Sequence, residues 1–431
     1  MVIADTIFAL SSGAPPAAIG IIRVSGPQAR KILEILTGNV PKPRVATLRN
    51  ITDPVTNEQL DSALCLWFPG PHSATGEDLA EIHCHGGRAV IRAIENTLEQ
   101  MDGLRRAEPG EFTRRTFSNG RIDLAEAEGL SDLLFAETEA QRKSALRLAG
   151  GALSRQVEQW QKEILRLSAL VEAELDFSDE DDVSPTQGDS LRKGAESLSA
   201  TMLEMIERPR AEKLRDGVRV VLGGPPNSGK STLLNALVER EAAIVSDVAG
   251  TTRDVIEVPV AIGGIPFLLI DTAGVREESA EEIERIGIER ARKQFALADI
   301  ILWLGPEGER PERDATIELA ARSDHLDFQP KSPKALIVSP VDGTGMSQLV
   351  ELLISKGKAV LPDPDETSIN KRQADHLMSA QLSLANIIGE DDYLVIGEQL
   401  RIARRSLDTL TGRASTEDML DALFGRFCIG K

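Results

Sequence analysis

A candidate phosphate-binding segment lies in the middle of the chain. In order, its residues are Gly224, Pro225, Pro226, Asn227, Ser228, Gly229, Lys230, Ser231 and Thr232. They match the pattern G-x-x-x-x-G-K-[ST], in which glycines let backbone N–H groups point at phosphate oxygens. In that pattern Lys230 reaches the β- and γ-phosphates, and the Ser231 hydroxyl ligates Mg²⁺. The segment therefore predicts binding of a nucleoside triphosphate.

The flanking sequence fits the elements that such a segment needs. A strand-like apolar run, 218–222, precedes it, and a helical pattern with leucines at 233, 234 and 237 follows it. The phosphate-binding motif acquires its meaning in this strand–loop–helix context. The N-terminus of the following helix would add its positive end to the phosphate site.

Two further segments extend this site. The apolar strand 265–270 ends in Asp271, Thr272, Ala273 and Gly274. The aspartate can hold the Mg²⁺ water shell, and the glycine can donate its N–H to the γ-phosphate. Between this strand and the phosphate segment lies Gly250-Thr251-Thr252, where a threonine hydroxyl could complete Mg²⁺ coordination. In this order, the three elements resemble the GTPase branch of the P-loop proteins.

The expected base-reading end departs from that branch. GTPases have Asn-Lys-x-Asp, whose carboxylate accepts from the guanine edge, but segment 321–324 here reads Ala-Arg-Ser-Asp. It keeps Asp324 and loses the Asn and the Lys. Ser339, Pro340 and Val341 stand where a second loop would touch the base. We expect guanine specificity that rests on Asp324 and is weakened, and an ordinary helix cap is the alternative role for Asp324.

Composition restricts the class of protein. The chain has 431 residues, a formal net charge of −19 and three cysteines, Cys65, Cys84 and Cys428. Such an acidic chain is a poor non-specific nucleic-acid binder, so any RNA partner must meet a local basic patch or a second protein. Three cysteines make no disulfide framework, which suits a reducing compartment. We see no membrane-spanning run and no secretory signal, and we predict a cytoplasmic protein without membrane partners.

The chain divides into zones of different pattern. Residues 1 to about 120 mix β-rich runs with helices, and a helical zone follows. In that zone an apolar stripe runs from Trp160 to Leu175, and a second helical stretch covers about 189–214. From Gly217 to about Leu361 strands alternate with helices, as in a parallel α/β sheet, and the tail is helical again. This order predicts a helical domain interrupted by an α/β domain.

As a whole, the chain resembles the MnmE (TrmE) family of tRNA uridine-5-carboxymethylaminomethyl modification GTPases. The matching segments are 5–7, 20–26, 68–71, 75–78, 85–87, 109–113, 121–128, the GTPase block and the terminal Phe427-Cys428-Ile429-Gly430-Lys431. The resemblance implies a multidomain fold: an N-terminal α+β folate-binding domain, a discontinuous all-α helical domain and an inserted Ras-like α/β P-loop GTPase domain. The expected boundaries are 1–120 (folate binding and dimerisation), 121–214 and 362–431 (helical domain), and 215–361 (GTPase domain).

The resemblance also implies a nucleotide site with K⁺ and Mg²⁺, formed in a homodimer. It assigns K⁺ to Asn227, Ser246, Val248 and Thr251, and Mg²⁺ to Ser231 and Thr252. Val275 replaces the water-orienting glutamine of Ras-type enzymes, and the resemblance gives that role to Glu284. The residues expected to bind GTP are Asn227, Ser228, Gly229, Lys230, Ser231, Thr232, Ser246, Asp247, Val248, Ala249, Gly250, Thr251, Thr252, Asp271, Thr272, Ala273, Gly274, Asp324, Ser339, Pro340 and Val341.

For the N-terminal domain the resemblance implies a folate site. Contacts to 5-formyl- or 5,10-methylene-tetrahydrofolate map onto Arg23, Glu81, Arg121 and Lys431, where a carboxylate can pair with the pterin and cations with the glutamyl tail. Cys428 would lie near the folate, as a lining residue or as a catalytic thiol. With the flavoprotein MnmG (GidA), in a heterotetramer, the family modifies C5 of the wobble uridine, U34, in tRNA.

Two other functions stay open at this point. The first is a GTP-switched ribosome or RNA assembly factor without folate chemistry. The second is a folate-binding scaffold whose nucleotide domain has degenerated, which the missing Asn-Lys pair suggests. A test of folate binding distinguishes the assembly factor from a folate-dependent tRNA modification GTPase. Rates of GTP and ATP hydrolysis in KCl and in NaCl distinguish the scaffold from an active GTPase.

Overall fold

The computed structural model describes most of the chain, in two compact units. The described residues are 5–176, 186–240, 242–243, 256–271, 292–313, 315–325, 328, 331, 335–363, 365–413, 417–425 and 427–430. One unit comprises Met1–Ser131 with Asp408–Lys431, and the other comprises Asp132–Leu407. No helix in these ranges is both long and apolar enough to cross a membrane.

Helices and strands alternate in blocks along the chain. Thirteen helices have both ends among the described residues: α1 (Ala29–Thr37), α2 (Arg88–Glu99), α3 (Glu111–Ser118), α4 (Leu124–Leu134), α5 (Glu139–Ala149), α6 (Ala152–Asp176), α7 (Thr186–Glu207), α8 (Ala211–Asp216), α9 (Lys230–Arg240), α10 (Met346–Val360), α11 (Lys371–Ile387), α12 (Tyr393–Leu410) and α13 (Glu417–Phe424). Residues 292–297 are also helical. The strands are β1 (Thr6–Leu10), β2 (Ile19–Ser25), β3 (Thr47–Thr52), β4 (Gln59–Phe68), β5 (Leu79–His85), β6 (Leu104–Arg106), β7 (Val218–Gly223), β8 (Ala242–Ala243), β9 (Ile256–Ile262), β10 (Ile265–Asp271), β11 (Ile300–Trp303), β12 (Thr316–Ala321) and β13 (Leu336–Val338).

The first unit is built on a six-stranded sheet in the order β3-β4-β5-β2-β1-β6. Its strand pairs are antiparallel except β1 with β6, which is parallel. Alternate residues of β2, such as Ile22 and Val24, are fully buried in a core with α1 and α2, while Arg23 lies on the opposite face. This confirms the predicted α+β architecture, and the two-residue period of the strand explains why the two faces differ.

A fully buried arginine links three sequence motifs of this unit. The Arg115 guanidinium on α3 donates to an Asp5 carboxylate oxygen at 2.9 Å, to Glu111 at 3.0 Å and to Glu77 at 3.2 Å. Asp5, Glu77 and Glu111 come from three of the segments that carry the family resemblance, 5–7, 75–78 and 109–113. Burying a charge is costly unless it is paired, so these three carboxylates stabilise Arg115 and hold α3 to the start of the chain.

The same network sets the ionisation of its acids. Burial acts to raise the pKa of Glu111, but hydrogen bonds from Arg105, the Glu108 N–H and Arg115 outweigh it and leave that pKa below its ordinary value. Burial also acts to raise the pKa of Asp5, but hydrogen bonds and ion pairs with Arg105 and Arg115 outweigh it. The pKa of Asp5 is therefore lowered as well. Both carboxylates are therefore held in their charged form by the arginines.

The second unit contains a seven-stranded sheet in the order β13-β12-β11-β7-β10-β9-β8. Strands β13, β12, β11, β7 and β10 run parallel, while β9 pairs antiparallel with both β10 and β8. The core-facing residues pack against α9 and α10. The predicted α/β architecture is confirmed, and the carboxyl ends of the parallel strands share one edge of the sheet.

Two details of this sheet differ from the prediction. Strands and helices do not alternate throughout: the β11–β12 connection contains no helix in residues 304–313 and 315, and no helix follows β12 in the described part of 322–335. The base-reading edge is therefore carried by loops. The connection between two parallel strands usually contains a helix. This connection has only about a dozen residues, which is short for a helix and the loops that join it to the two strands.

The structure adds two details to the predicted helical part. The helical stretch predicted over about 189–214 is formed by two helices, α7 and α8, because Pro209 lies between them and proline interrupts helical hydrogen bonding. The stripe on α6 is buried from Trp160 to Val171, but Leu175 is 37% exposed and does not continue it. Helices α11 and α7 pack together, with a buried hydrogen bond of 3.0 Å from the Gln381 amide to the Ser199 hydroxyl.

Removing the buried arginine tests the network in the first unit. We expect Arg115→Met to lower the free energy of unfolding by about 3–5 kcal/mol near neutral pH, because three carboxylates lose their buried cation. The native-state pKa values of Asp5 and Glu111 lie below their ordinary values of 3.8 and 4.5. Their contribution is thus present above those values and lost as the pH falls through the native-state pKa values, so the cost of the substitution should shrink in acid.

Urea unfolding of the full chain at several pH values measures this effect. Arg142→Met is the matched control, because Arg142 is half exposed and pairs with Glu139 on its own helix. Such a surface pair is worth about 0–1 kcal/mol, so the control should unfold like the parent chain. A pH-independent loss in Arg115→Met would mean that packing, not charge, explains the effect.

Candidate nucleotide site and candidate folate site

The phosphate-binding loop joins β7 to α9 through conformations that suit few residues. Gly224 has φ +145°, and a Cβ there would lie 2.9 Å from the Gly305 backbone nitrogen, so the loop requires glycine at this position. Asn227 has φ +60°, a left-handed conformation that asparagine tolerates better than most residues. The predicted strand–loop–helix arrangement is therefore present, with helix α9 beginning at Lys230.

Lys230 is held inside this loop. It is 5% exposed, and its Nζ donates to the carbonyls of Gly224 at 2.9 Å and Pro225 at 2.7 Å. Burial lowers the pKa of Lys230, and the nearby Asp271 carboxylate opposes that shift. The buried Ser228 hydroxyl, within the same loop, has no hydrogen-bond partner among the described residues. An ammonium group and a free hydroxyl in one loop fit the oxygens of a phosphate.

Two oxygen donors meet at the end of the loop. The Ser231 hydroxyl on α9 donates to Oδ2 of Asp271 at 2.6 Å, and Asp271 is 2% exposed at the end of β10. Hydroxyl and carboxylate oxygens are the ligands that Mg²⁺ prefers. The sequence predicted both residues from separate motifs, and the parallel pairing of β10 with β7 brings them together.

The base-reading candidates lie along the same edge of the sheet. Asp324 follows β12, Ser339 follows β13, and the buried Ser339 hydroxyl donates to Oδ1 of Asp324 at 2.8 Å. No helix begins at Asp324 in the described residues 322–325, 328 and 331, so the structure gives no support to a helix cap. Pro340 and Val341 continue the second loop, and Val341 is 74% exposed.

Sequence reasoning missed one residue of this site. Arg322 has φ +63°, and its Nη1 donates to the Asn227 carbonyl at 3.3 Å. Its aliphatic stem lies beside Gly229, 3.6 Å from where a Cβ would be. The signal was available, because Arg322 occupies the position of the lysine in Asn-Lys-x-Asp.

Part of the predicted site lies outside the described residues. These positions are Ser246, Asp247, Val248, Ala249, Gly250, Thr251, Thr252, Thr272, Ala273, Gly274, Glu284 and Lys431. Their roles stay predictions. Thr232 is in the first turn of α9, next to Ser231.

In the first unit, two of the predicted folate-binding residues form an ion pair. Arg23 on β2 and Glu81 on β5 are directly opposite in the antiparallel register. The Arg23 Nε and Nη2 atoms donate to the same Glu81 oxygen at 3.1 Å and 2.9 Å. His83 Nε2 lies 3.2 Å from the other oxygen, and the Arg23 guanidinium lies 5.7 Å from the centre of the Phe112 ring. The half-buried pair offers a charged group of each sign beside an aromatic ring.

The C-terminal tail meets this region through α3. Ile429 forms a β-bridge with Pro109, the Gly110 N–H donates to the Cys428 carbonyl at 3.4 Å, and a Cβ on Gly430 would lie 2.1 Å from the Leu10 carbonyl oxygen. Cys428 itself is exposed. The tail thus packs against the residues that precede Phe112, and Gly430 requires the absence of a side chain.

Arg121 lies in the same unit, just after α3. Arg121 is exposed, and its side chain packs close to Gly76: a Cβ on Gly76 would lie 3.2 Å from the Arg121 Cγ. The structure therefore brings Arg23 and Glu81 into direct contact, while Arg121 and Cys428 are linked to them through α3 and its neighbouring turns.

Comparison with known proteins identifies the family. A model described as the GTP-binding protein TrmE N-terminus matches residues 6–121, and a model of the MnmE helical domain matches residues 124–428. The tRNA modification GTPase MnmE of Erythrobacter litoralis (strain HTCC2594) is 58% identical over 427 residues, 99% of this chain and 100% of that protein. The proteins of the same name from Novosphingobium aromaticivorans and Zymomonas mobilis subsp. mobilis are 54% and 49% identical, again over 99% of this chain and 100% of each relative. This chain belongs to the MnmE (TrmE) family of tRNA modification GTPases.

Proposed function

We propose that this chain hydrolyses GTP in a K⁺-dependent dimer and thereby drives modification of the wobble uridine of tRNA in the cytoplasm. The observation that carries the proposal is the Ser231–Asp271 hydrogen bond beside the buried Lys230, in a chain of this family. These three residues would hold Mg²⁺ and the β- and γ-phosphates of GTP. Once bound, Mg²⁺ supplies charge stabilisation to the phosphoryl group, while Lys230 and the loop N–H groups orient it.

Asn227 is the described member of the proposed K⁺ site, with Ser246, Val248 and Thr251 as its partners. A monovalent cation beside the phosphates can supply the positive charge that an arginine finger gives other GTPases. Glu284 would orient the attacking water, and two G domains, each about 215–361, would meet across their nucleotide sites in the homodimer. The G domain would be inserted between helical segments 121–214 and 362–431.

Guanine recognition would rest on Asp324. Its carboxylate can accept from guanine N1–H and N2–H, and Ser339 holds one of its oxygens in place. The second base-side loop, Ser339 to Val341, would complete this contact. An intact phosphate end and an ordered Asp324 support an active nucleotide domain over a degenerate one.

The one-carbon chemistry would take place in the N-terminal domain, about 1–120. Arg23, Glu81, Arg121 and Lys431 would bind 5-formyl- or 5,10-methylene-tetrahydrofolate, whose carbon would reach C5 of U34 with the flavoprotein MnmG as partner in a heterotetramer. The Arg23–Glu81 pair suits the hydrogen-bonding edge of a pterin, which has both donors and acceptors. Cys428, exposed near α3, would line this site.

Replacing the potassium ligand tests the hydrolysis proposal. We expect the parent chain to hydrolyse GTP much faster in KCl than in NaCl. Asn227→Ala should lose most of that difference, because a cation in the arginine-finger role is worth on the order of 10³-fold in rate. Initial rates of phosphate release from GTP and ATP in the two salts measure both effects. Equal, slow rates for both nucleotides in both salts would contradict an active potassium-dependent GTPase.

Replacing the base reader tests nucleotide specificity. In Asp324→Asn we expect affinity for GDP to fall by about 100-fold or more, since the guanine donors lose their carboxylate. Affinity for xanthosine diphosphate should rise, because the new amide N–H can donate to the xanthine oxygen at C2. Fluorescent-nucleotide titrations measure both constants, and Asp102→Asn, at an exposed residue of the first unit, is the control. A loss of GDP affinity without any gain for the xanthine nucleotide would argue that Asp324 is structural.

Substituting the ion pair tests the folate proposal. We expect Arg23→Ala and Glu81→Gln each to weaken binding of 5-formyl-tetrahydrofolate by about tenfold or more, because each removes a charge-assisted hydrogen bond. Isothermal titration of the full chain measures this, and Arg30→Ala, at an exposed arginine of α1, is the control. Failure of the parent chain to bind folate would favour the assembly-factor alternative.

A further inference from the structure

Two strained residues of the nucleotide site are bonded to each other. Among the described residues, four that are not glycine have positive φ: Arg44, Asn57, Asn227 and Arg322. The last two are joined by the hydrogen bond from Arg322 Nη1 to the Asn227 carbonyl, at 3.3 Å. Asparagine tolerates this conformation, but arginine is rarely found in it. Local strain of this kind persists when neighbouring contacts require it, and it concentrates at functional sites.

The conformation of Arg322 places its side chain across the phosphate-binding loop. Arg322 directly follows β12, and its stem passes beside Gly229 before the guanidinium reaches Asn227. Gly229 has φ +94°, so a side chain there would be strained as well. The arginine thus touches the loop at two positions on either side of Ser228.

The Arg322–Asn227 hydrogen bond also determines the direction of the neighbouring Ser228 N–H. Because the peptide unit is planar and trans, the Asn227 carbonyl and the Ser228 N–H point in opposite directions. With the carbonyl turned toward Arg322, the Ser228 N–H faces the inside of the loop. There it donates to the Pro225 carbonyl, with 3.4 Å between nitrogen and oxygen, and the same carbonyl also accepts from Lys230. The same bond sets the backbone from which the Asn227 side chain projects.

A continuous set of contacts therefore joins the base-reading loops to the loop that binds phosphate. Ser339 holds Asp324 at 2.8 Å, Asp324 is two residues from Arg322, and Arg322 holds Asn227. The links are two side-chain hydrogen bonds and the backbone between Arg322 and Asp324, and none of them needs a bound ligand.

We propose that Arg322 is a positioning residue that presents Asn227 to K⁺ and couples the base-reading segment to the cation site. This inference rests on the proposed K⁺ binding by Asn227. An arginine suits the role because its planar, permanently charged fork gives a directed hydrogen bond, whereas lysine gives a flexible point charge. The replacement of the family's lysine by arginine is then an adaptation of this site and not only a loss.

Replacing Arg322 by glycine separates the positioning role from fold stability. Glycine adopts the φ of Arg322 without strain, so Arg322→Gly should melt at the same temperature as the parent chain, or higher, without nucleotide. With a non-hydrolysable GTP analogue bound, KCl should raise the melting temperature as it replaces NaCl at constant total salt. We expect the K⁺ concentration for half of this rise to be about 3- to 10-fold higher in Arg322→Gly, with Arg322→Lys in between.

Arg44→Gly is the matched control. Arg44 has φ +62°, lies in the first unit and donates to the His72 carbonyl, so the substitution relieves the same strain away from the nucleotide site. It should leave the K⁺ midpoint unchanged. An unchanged midpoint in Arg322→Gly, or the same shift in both glycine variants, would overturn the inference.

The affinity for a GDP analogue in NaCl tests the positioning role of Arg322 even if the proposed K⁺ dependence fails. If the parent chain responds equally to KCl and NaCl, the K⁺ proposal fails, and the cation part of this inference fails with it. Affinity for a fluorescent GDP analogue in NaCl then reports on the phosphate-binding loop alone. A several-fold loss in Arg322→Gly supports the positioning of Ser228 and Asn227, and an unchanged affinity rejects it.

Discussion

The parallel pairing of β7 with β10 is the constraint on which the nucleotide site depends. Its register sets Asp271 opposite Leu222, shortly before the phosphate-binding loop. The carboxylate therefore reaches the first turn of α9, where Ser231 bonds to it at 2.6 Å. On the other side of β7, strand β11 pairs with β7 and brings the Gly305 backbone into close contact with Gly224 of the phosphate-binding loop. A shift of one residue in the β7–β10 pairing would separate Asp271 from Ser231 and Lys230.

The edge of the sheet at the carboxyl ends of the parallel strands also carries Asp324 and Ser339. Strands β12 and β13 are parallel to β11, so the residues that follow them emerge beside the phosphate-binding loop. The described connections after β11 and β12 contain no helix. Side-chain contacts hold the edge in place: Ser339 bonds to Asp324, and Arg322 bonds to Asn227. The position of Asp324 is thus linked to the conformation of the phosphate-binding loop.

The first unit uses charge in a different way. Arg115 and Arg105 hold carboxylates from distant segments within the structure, and their pairing keeps the pKa values of Asp5 and Glu111 low. The Arg23–Glu81 pair is half-buried on a sheet face and lies beside an aromatic ring. The charges paired with the buried Arg115 thus fix α3, while a second ion pair lies half-buried near the same helix.

Sequence and tertiary structure contributed different parts of this account. The glycine pattern of residues 224–232, the Asp271 motif and the family motifs predicted the three architectures and most of the phosphate site, because backbone demands and metal chemistry restrict residue types locally. Sequence also indicated the missing Asn-Lys pair. It gave no sign that Arg115 joins three motifs or that Arg322 bonds to Asn227. Those features depend on strand register and on residues about 95 to 110 positions apart, which local periodicity does not encode.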